Sequence, residues 1–144
     1  MSARRPAIVV HDLAQATAAL RAAAAAGVPV TLWSAPGAAS YAGLGFLRAV
    51  FEKASEAVPE ADHDAVVDCA ASAVLAHEAL SRGFAGVAFT GRGAMRRTLQ
   101  AIADEHGRPL ITARPGQGAL DLAHSSEPER ESAVYLANRR AGRL

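Results

Sequence analysis

The sequence predicts an α/β protein with a mostly parallel β-sheet, and three observations support this fold class. Short apolar runs recur along the chain, and each of the first four ends in a polar or glycine-bearing turn that leads directly into a helical stretch. This alternation is typical of βαβ units, which build parallel sheets. One residue in four is alanine, which favours helices that pack close to a sheet because its side chain is small. The predicted strands are Ala7–Val10, Val28–Trp33, Ala65–Val67, Gly86–Phe89 and Pro109–Thr112.

Five helices are predicted between and after these strands. Asp12 precedes the first helix and Gln15 follows three residues later, which is the pattern of a capping box. Gly27 and Gly107 each follow a helical stretch, at the position where glycine commonly ends a helix. The predicted helices are Leu13–Ala26, Ser40–Ala57, Ala71–Arg82, Ala94–His106 and Ser126–Arg140.

Two arrangements of the strands fit this alternation. The preferred one is a three-layer sandwich with a five-stranded, mostly parallel sheet, flavodoxin-like, with strand order 2-1-3-4-5 and helices on both faces. The alternative is a half TIM-barrel-like βα repeat, with the strands in sequence order, helices on one face and the other face left to a partner subunit. The segment 76–91 (AHEALSRGFAGVAFTG) resembles the repeating helix–strand unit of TIM barrels. The length excludes a full eightfold barrel.

The chain length fits a single α/β domain spanning 1–144, which is enough to bury one hydrophobic core. Within it, 116–144 is predicted to form a loop and a detached C-terminal helix that mediates self-association, since a thin alanine-rich core gains from a partner surface. The large residues expected to supply much of the buried surface are Trp33, Tyr41, Phe46, Phe51, Phe84 and Phe89.

Charge and cysteine content exclude several classes of function. Fifteen basic and fourteen acidic residues leave a net charge of +1, which argues against nucleic acid as a partner. No apolar stretch is long enough for a signal peptide or a membrane span, so no membrane partner and a cytoplasmic location are expected. Cys69 is the only cysteine, so no multi-thiolate metal site is expected, and no cofactor is indicated. Lys53, the only lysine, falls within a predicted helix, which disfavours Schiff-base chemistry.

Polar residues that follow the strands should meet at the carboxyl edge of the sheet, where helix N-termini also point. The turn Thr90-Gly91-Arg92-Gly93 is the main candidate for binding an anion, because glycines let backbone N–H groups approach a phosphate or carboxylate. Arg114 offers a second, bidentate contact. Ser34 and Gly37, in the turn after the second strand, complete the candidate ligand-binding residues.

Asp68 and His11 are the candidate acid and base, because each comes at the end of a predicted strand. Asp12, Asp68, Thr90 and Arg114-Pro115 occupy positions that resemble those of response-regulator receiver domains. Such a domain has an acidic pair after strand one, a phosphorylated aspartate after strand three, Ser/Thr after strand four and Lys-Pro after strand five. This chain departs from that pattern, because it has His-Asp in place of the acidic pair and arginine in place of the lysine.

The sequence therefore predicts a protein that binds a small anionic ligand, bearing phosphate or carboxylate, at the carboxyl edge, and that forms a homo-oligomer. Two alternatives stay open at this point. One is a lyase or hydrolase acting on a phosphorylated or carboxylated metabolite, and the other is a receiver-like signalling or protein-interaction module. No metal-ligand spacing such as HxH or HExxH supports a metal site.

Overall fold

The computed structural model describes residues 5–140 and contains six strands and six helices within that range. The strands are β1 (Ala7–Val9), β2 (Val30–Trp33), β3 (His63–Asp68), β4 (Gly86–Ala88), β5 (Leu110–Ile111) and β6 (Leu120–Asp121). The helices are α1 (Leu13–Ala26), α2 (Ala38–Tyr41), α3 (Leu44–Ala57), α4 (Ala73–Ser81), α5 (Gly93–His106) and α6 (Pro128–Arg140). The predicted α/β class with a parallel sheet is confirmed, and β6 is an additional strand.

All six strands are parallel and form one sheet in the order β5-β4-β3-β2-β1-β6. Strands β1 to β5 therefore follow the sequence order of the half-barrel alternative. The order 2-1-3-4-5 is not the one observed, because β3 pairs with β2 rather than with β1. Each helical connection adds its strand beside the preceding one, as short connections in α/β proteins commonly do.

The two faces of the sheet belong to two separate apolar clusters. Successive residues of a strand point to opposite faces, so Ile8 and Leu32 join the buried residues of the helices in the main core. The second cluster, called here the inner face, contains no helical residue among the described residues. Its buried members are Ala7, Val9, Trp33, Val66 and Ala88.

The inner face is covered by the segment that connects β5 to β6. Ile111 and Ala119, at the two ends of this connection, pack against the cluster. Between them, the guanidinium carbon of Arg114 lies 5.1 Å from the centroid of the Trp33 ring, which is within the range of a cation–π contact. The half-barrel alternative left this face to a partner subunit, whereas in the structure the chain itself covers part of it.

The start of α1 confirms the predicted capping box. The backbone N–H of Gln15 donates to Oδ1 of Asp12 at 2.8 Å. The Gln15 side chain reaches back one residue further than predicted, because its Oε1 accepts from the backbone N–H of His11 at 2.8 Å. Gly27 ends the helix at φ 65°, in the left-handed conformation that glycine adopts without strain.

The predicted helix Ser40–Ala57 is divided in the structure into α2 and α3. Gly43, between them, has φ 89° and ψ 147°, which no helix can accommodate. The division changes which large residues are buried: Tyr41 is 69% exposed and Phe46 is 50% exposed, against expectation. Both stand near the helix break, where their side chains turn away from the sheet.

The C-terminal helix is not detached, in contrast to the prediction. α6 packs along α1, and Leu136 is fully buried in the main core together with Tyr135. The Tyr135 hydroxyl donates to the carbonyl oxygen of Gly118 at 2.6 Å, which connects α6 to the segment before β6. Within residues 5–140, no helix has the length and apolar character needed to cross a bilayer.

Candidate ligand site at the carboxyl edge

Because the strands are parallel, the residues that end or follow them meet at one edge of the sheet. This carboxyl edge carries His11 after β1, Ser34 after β2, Asp68 at the end of β3, Thr90 after β4, Arg114 after β5 and Asp121 at the end of β6. The structure brings several of the predicted site residues into direct contact, and it adds Asp121 to them.

Asp68 is a buried acidic group at this edge, with 2% of its surface exposed. Its Oδ1 accepts from the backbone N–H groups of Gly37 at 3.0 Å and Ala70 at 2.8 Å. Its Oδ2 accepts from Nη1 of Arg114 at 2.8 Å. The carboxylate therefore joins the loops after β2, β3 and β5, and this geometry favours a structural role over the predicted role as an acid or base.

Ser34 and Gly37 face inward rather than toward a ligand. The Ser34 hydroxyl oxygen accepts from the backbone N–H of Asp68 at 2.8 Å, and the Ser34 carbonyl oxygen accepts from Nη1 of Arg114 at 3.0 Å. The N–H of Gly37 is already bonded to Asp68. Both predicted ligand-binding residues therefore use their polar groups to hold the loop after β2.

The guanidinium group of Arg114 uses only part of its hydrogen-bonding capacity on described residues. Nη1 donates to both Ser34 and Asp68, while Nε and Nη2 make no hydrogen bond to any residue within 5–140. The side chain is 24% exposed. A guanidinium carries five N–H donors in a fixed plane, so Arg114 retains donors that are not bonded to any described residue.

His11 and Asp121 form a hydrogen-bonded pair across β1 and β6. Nε2 of His11 lies 2.7 Å from Oδ1 of Asp121, and the two side chains are 30% and 54% exposed. Partial burial raises the pKa of Asp121, but the hydrogen bonds from His11 and the Ala123 N–H, with the charges of His11 and Arg114, outweigh it and hold the pKa below its usual value. His11, one of the predicted catalytic residues, therefore has a charged partner.

Like α2, α5 begins without a side-chain cap, whereas Asp12 caps α1 and Ser72 caps α4. Arg92 occupies the N-cap position and is exposed, as are Thr90 and Gly93. Arg96 folds back, with Nε donating to the carbonyl oxygen of Gly91 at 2.8 Å. Gly91 is required by packing, since a Cβ there would lie 2.2 Å from Cζ of the buried Phe89 ring.

Asp121 is the residue of this edge that the sequence analysis missed. The segment 116–125 shows no helical period, and β6 has only two residues, too few for a pattern of alternation to stand out. Leu120 and Leu122 on either side of Asp121 are the only signal, because they predict opposite orientations for the apolar and acidic side chains.

Other candidate chemistry is not assembled at this edge. Lys53 is exposed on α3. Cys69 is 2% exposed, and burial together with the charge of Asp68 raises its pKa to about 12, so its thiolate is disfavoured. Among the described residues, no group of three or more His, Cys, Asp or Glu side chains is arranged to hold a metal ion.

The receiver-like arrangement is contradicted by the sheet order. Asp12 and Asp68 follow β1 and β3, and β2 lies between these two strands. Asp12 caps α1, while Asp68 pairs with Arg114. The two carboxylates therefore belong to separate interactions, and the resemblance to receiver domains stops at the sequence positions.

The fold and the edge define an α/β protein with βα units in sequence order, and solved structures contain the same arrangement. A structure solved for a candidate fructose-1,6-bisphosphate aldolase from Coccidioides immitis superposes with a TM-score of 0.61, at 23% sequence identity. The superposition covers 74% of this chain and 39% of that one. At this identity the similarity establishes the shared fold.

The amino-acid sequence is also similar to that of an aldolase. The chain is 32% identical over 120 residues to a fructose-bisphosphate aldolase of Xanthobacter flavus. The match covers 83% of this chain but only 32% of the aldolase, so the chain spans about a third of the relative that it matches. No protein-family model matches the chain.

Proposed function

We propose that this protein binds a small phosphate-bearing ligand at the carboxyl edge of its sheet. The observation that carries the proposal is the start of α5, where a 14-residue helix begins without a side-chain cap and the exposed Arg92 stands at the N-cap. Uncapped N–H groups at a helix N-terminus attract anions, and a guanidinium beside them adds charge.

The similarity to an aldolase supports phosphate as the anion. The relative of known activity and the structural neighbour are both named for fructose bisphosphate, a sugar that carries two phosphate groups. Gly93 leaves the backbone of the turn open, since a Cβ there would meet nothing within 4 Å. The ligand-binding residues proposed are therefore Thr90, Gly91, Arg92 and Gly93, with the remaining N–H donors of Arg114 as a second contact.

A second candidate function is a lyase that acts on a phosphorylated metabolite. The similarity to fructose-bisphosphate aldolase favours this candidate over a hydrolase. The paired His11 and Asp121 lie at the same edge as the α5 turn and provide groups able to transfer a proton.

The binding proposal is tested by thermal unfolding in the presence of inorganic phosphate and of fructose 1,6-bisphosphate. A ligand at a hundred times its dissociation constant stabilises the native state by about 2.7 kcal/mol, which raises Tm by several degrees in a domain of this size. We expect the shift in the wild type to be lost in Arg92→Ala. Arg97→Ala is the matched control, because Arg97 is exposed on the same helix but lies beyond the turn.

Equal shifts in Arg92→Ala and Arg97→Ala would contradict the proposed site. The absence of a shift in the wild type with either compound would contradict phosphate as the ligand. A shift that is lost in Arg114→Ala but kept in Arg92→Ala would place the phosphate site beside Arg114, next to the inner face, and away from the α5 turn.

A further inference from the structure

We propose that His11 and Asp121 form a proton-transfer pair, in which Nδ1 of His11 removes a proton from a hydroxyl group of the ligand bound at the carboxyl edge. This inference rests on the proposed function for the nature of the ligand. The evidence for the pair itself is the geometry around β1 and β6.

The pair is held in place from both sides. Oδ1 of Asp121 accepts from the backbone N–H of Ala123 at 2.9 Å as well as contacting His11. On the other side, the His11 backbone N–H donates to Gln15, whose Nε2 donates to the carbonyl oxygen of Leu122 at 2.8 Å. These bonds fix the ends of β1 and β6 relative to each other, so the contact between the two side chains is built into the fold.

The orientation of the imidazole determines which nitrogen can react. With Nε2 against the Asp121 carboxylate, the proton of neutral His11 resides on Nε2, and Nδ1 carries the lone pair. A carboxylate that accepts from one ring nitrogen fixes the tautomer and the orientation of the imidazole ring. No described residue forms a hydrogen bond to Nδ1 of His11 in the structure, and 30% of the side chain is exposed.

The proposed step conserves charge and atoms without another reactant. The O–H bond of the ligand breaks, its proton goes to Nδ1, and the electron pair stays on the ligand oxygen. The resulting imidazolium is stabilised by Asp121, which makes His11 the catalytic residue and Asp121 the positioning residue. Arg114, whose charge already acts on Asp121, keeps N–H donors that are not bonded to any described residue, and these would stabilise the developing oxyanion.

The reactivity of His11 toward diethyl pyrocarbonate, mapped by mass spectrometry, tests the pair without a known substrate. His77, His106 and His124 are more exposed and serve as internal references. We expect His11 to react faster than these three and to slow by about tenfold in Asp121→Asn. Asparagine keeps an oxygen for the Ala123 N–H, so this variant should retain the fold, and circular dichroism verifies it. We also expect fructose 1,6-bisphosphate to protect His11 in the wild type and not in Arg92→Ala.

Two results would overturn the proton-transfer pair: a His11 that reacts no faster than the reference histidines, or a His11 rate that is unchanged in Asp121→Asn. Binding of fructose 1,6-bisphosphate by thermal shift without protection of His11 would also overturn it. A different outcome separates the two proposals: His11 reacts fast and its rate depends on Asp121, but neither phosphate compound raises Tm. That outcome overturns the proposed function, while the reactivity of the His11–Asp121 pair is still supported.

Discussion

At the scale of single residues, the ion pair between Arg114 and Asp68 joins a partly exposed arginine to a buried carboxylate. The carboxyl side chain is 3% exposed, while the arginine side chain is 24% exposed. Removing the guanidinium leaves a buried carboxylate without its charged partner, which costs more than the loss of an exposed ion pair.

We expect Arg114→Ala to lower the free energy of unfolding by about 2 kcal/mol, because it removes charge-assisted hydrogen bonds to Asp68 and the Ser34 carbonyl. Urea denaturation measures this change. Arg82→Ala is the control, since its pair with Glu78 is exposed and should contribute less than about 1 kcal/mol. Equal losses of unfolding free energy in the two variants would contradict a larger contribution from the Arg114–Asp68 pair.

The buried thiol of Cys69 makes the free energy of unfolding vary with pH in the alkaline range. Burial raises the pKa of its thiol from 9.0 to about 12, so in the unfolded chain the thiol ionises at a lower pH than in the native state. Its contribution is fully present below pH 9.0 and declines as the pH rises toward 12. We expect the stability of wild type relative to Cys69→Ala to fall across this range, as measured by urea denaturation at stepped pH. A constant difference between the two proteins would contradict the burial of the thiol.

At the scale of elements, the sequence predicted those parts of the fold that have a local cause. The capping box before α1 depends on residues three apart, and Gly27 ends α1 by its own conformational freedom. The break at Gly43 was missed because a single glycine in a helical stretch does not by itself predict that the helix ends. The pairing of β6 with β1 was missed because nothing local in a two-residue strand specifies a partner so distant in the chain.

The same contrast holds for the candidate site. Sequence order placed His11, Asp68, Thr90 and Arg114 at one edge, since that follows from parallel strands alone. It gave no information on which side chains would pair with each other. Asp68 was predicted to act as an acid or base and Arg114 to bind the ligand, but the two side chains are hydrogen-bonded to each other between the loops after β3 and β5.

The cap of α1 provides a test at this scale. We expect Asp12→Ala to destabilise the fold by about 1 kcal/mol, because the backbone N–H of Gln15 loses its acceptor. Thermal unfolding measures the loss. Asp12→Asn retains the acceptor and should restore most of the stability, and a similar loss in both variants would contradict a capping role.

At the scale of the whole molecule, α6 completes the main core through its contact with α1. We expect Leu136→Ala to lower the free energy of unfolding by about 3 kcal/mol, because Leu136 is fully buried. Val134→Ala, at a position 55% exposed on the same helix, should change it by less than about 0.5 kcal/mol. Urea denaturation compares the two, and separate transitions for α6 and the rest would contradict a single domain.

Self-association stays a prediction, and it can be tested at the outer side of α6, the helix to which the sequence assigned it. Val134 is the exposed large apolar residue of that helix. We expect sedimentation equilibrium to show an oligomer in the wild type and a weaker one in Val134→Asp. A wild-type monomer would contradict the prediction, and unchanged association in the variant would place the interface elsewhere.

The pairing of β6 with β1 has a consequence for the order in which the protein acquires its structure. β1 is synthesised before β6, and one of its two neighbours and the partner of His11 lie about 110 residues later in the chain. Until Asp121 has been synthesised, β1 has one unpaired edge and the nascent chain exposes apolar surface. The segment up to β2 can form α1 and pair β1 with β2 during translation, but the candidate proton-transfer pair assembles only after Asp121 has been synthesised.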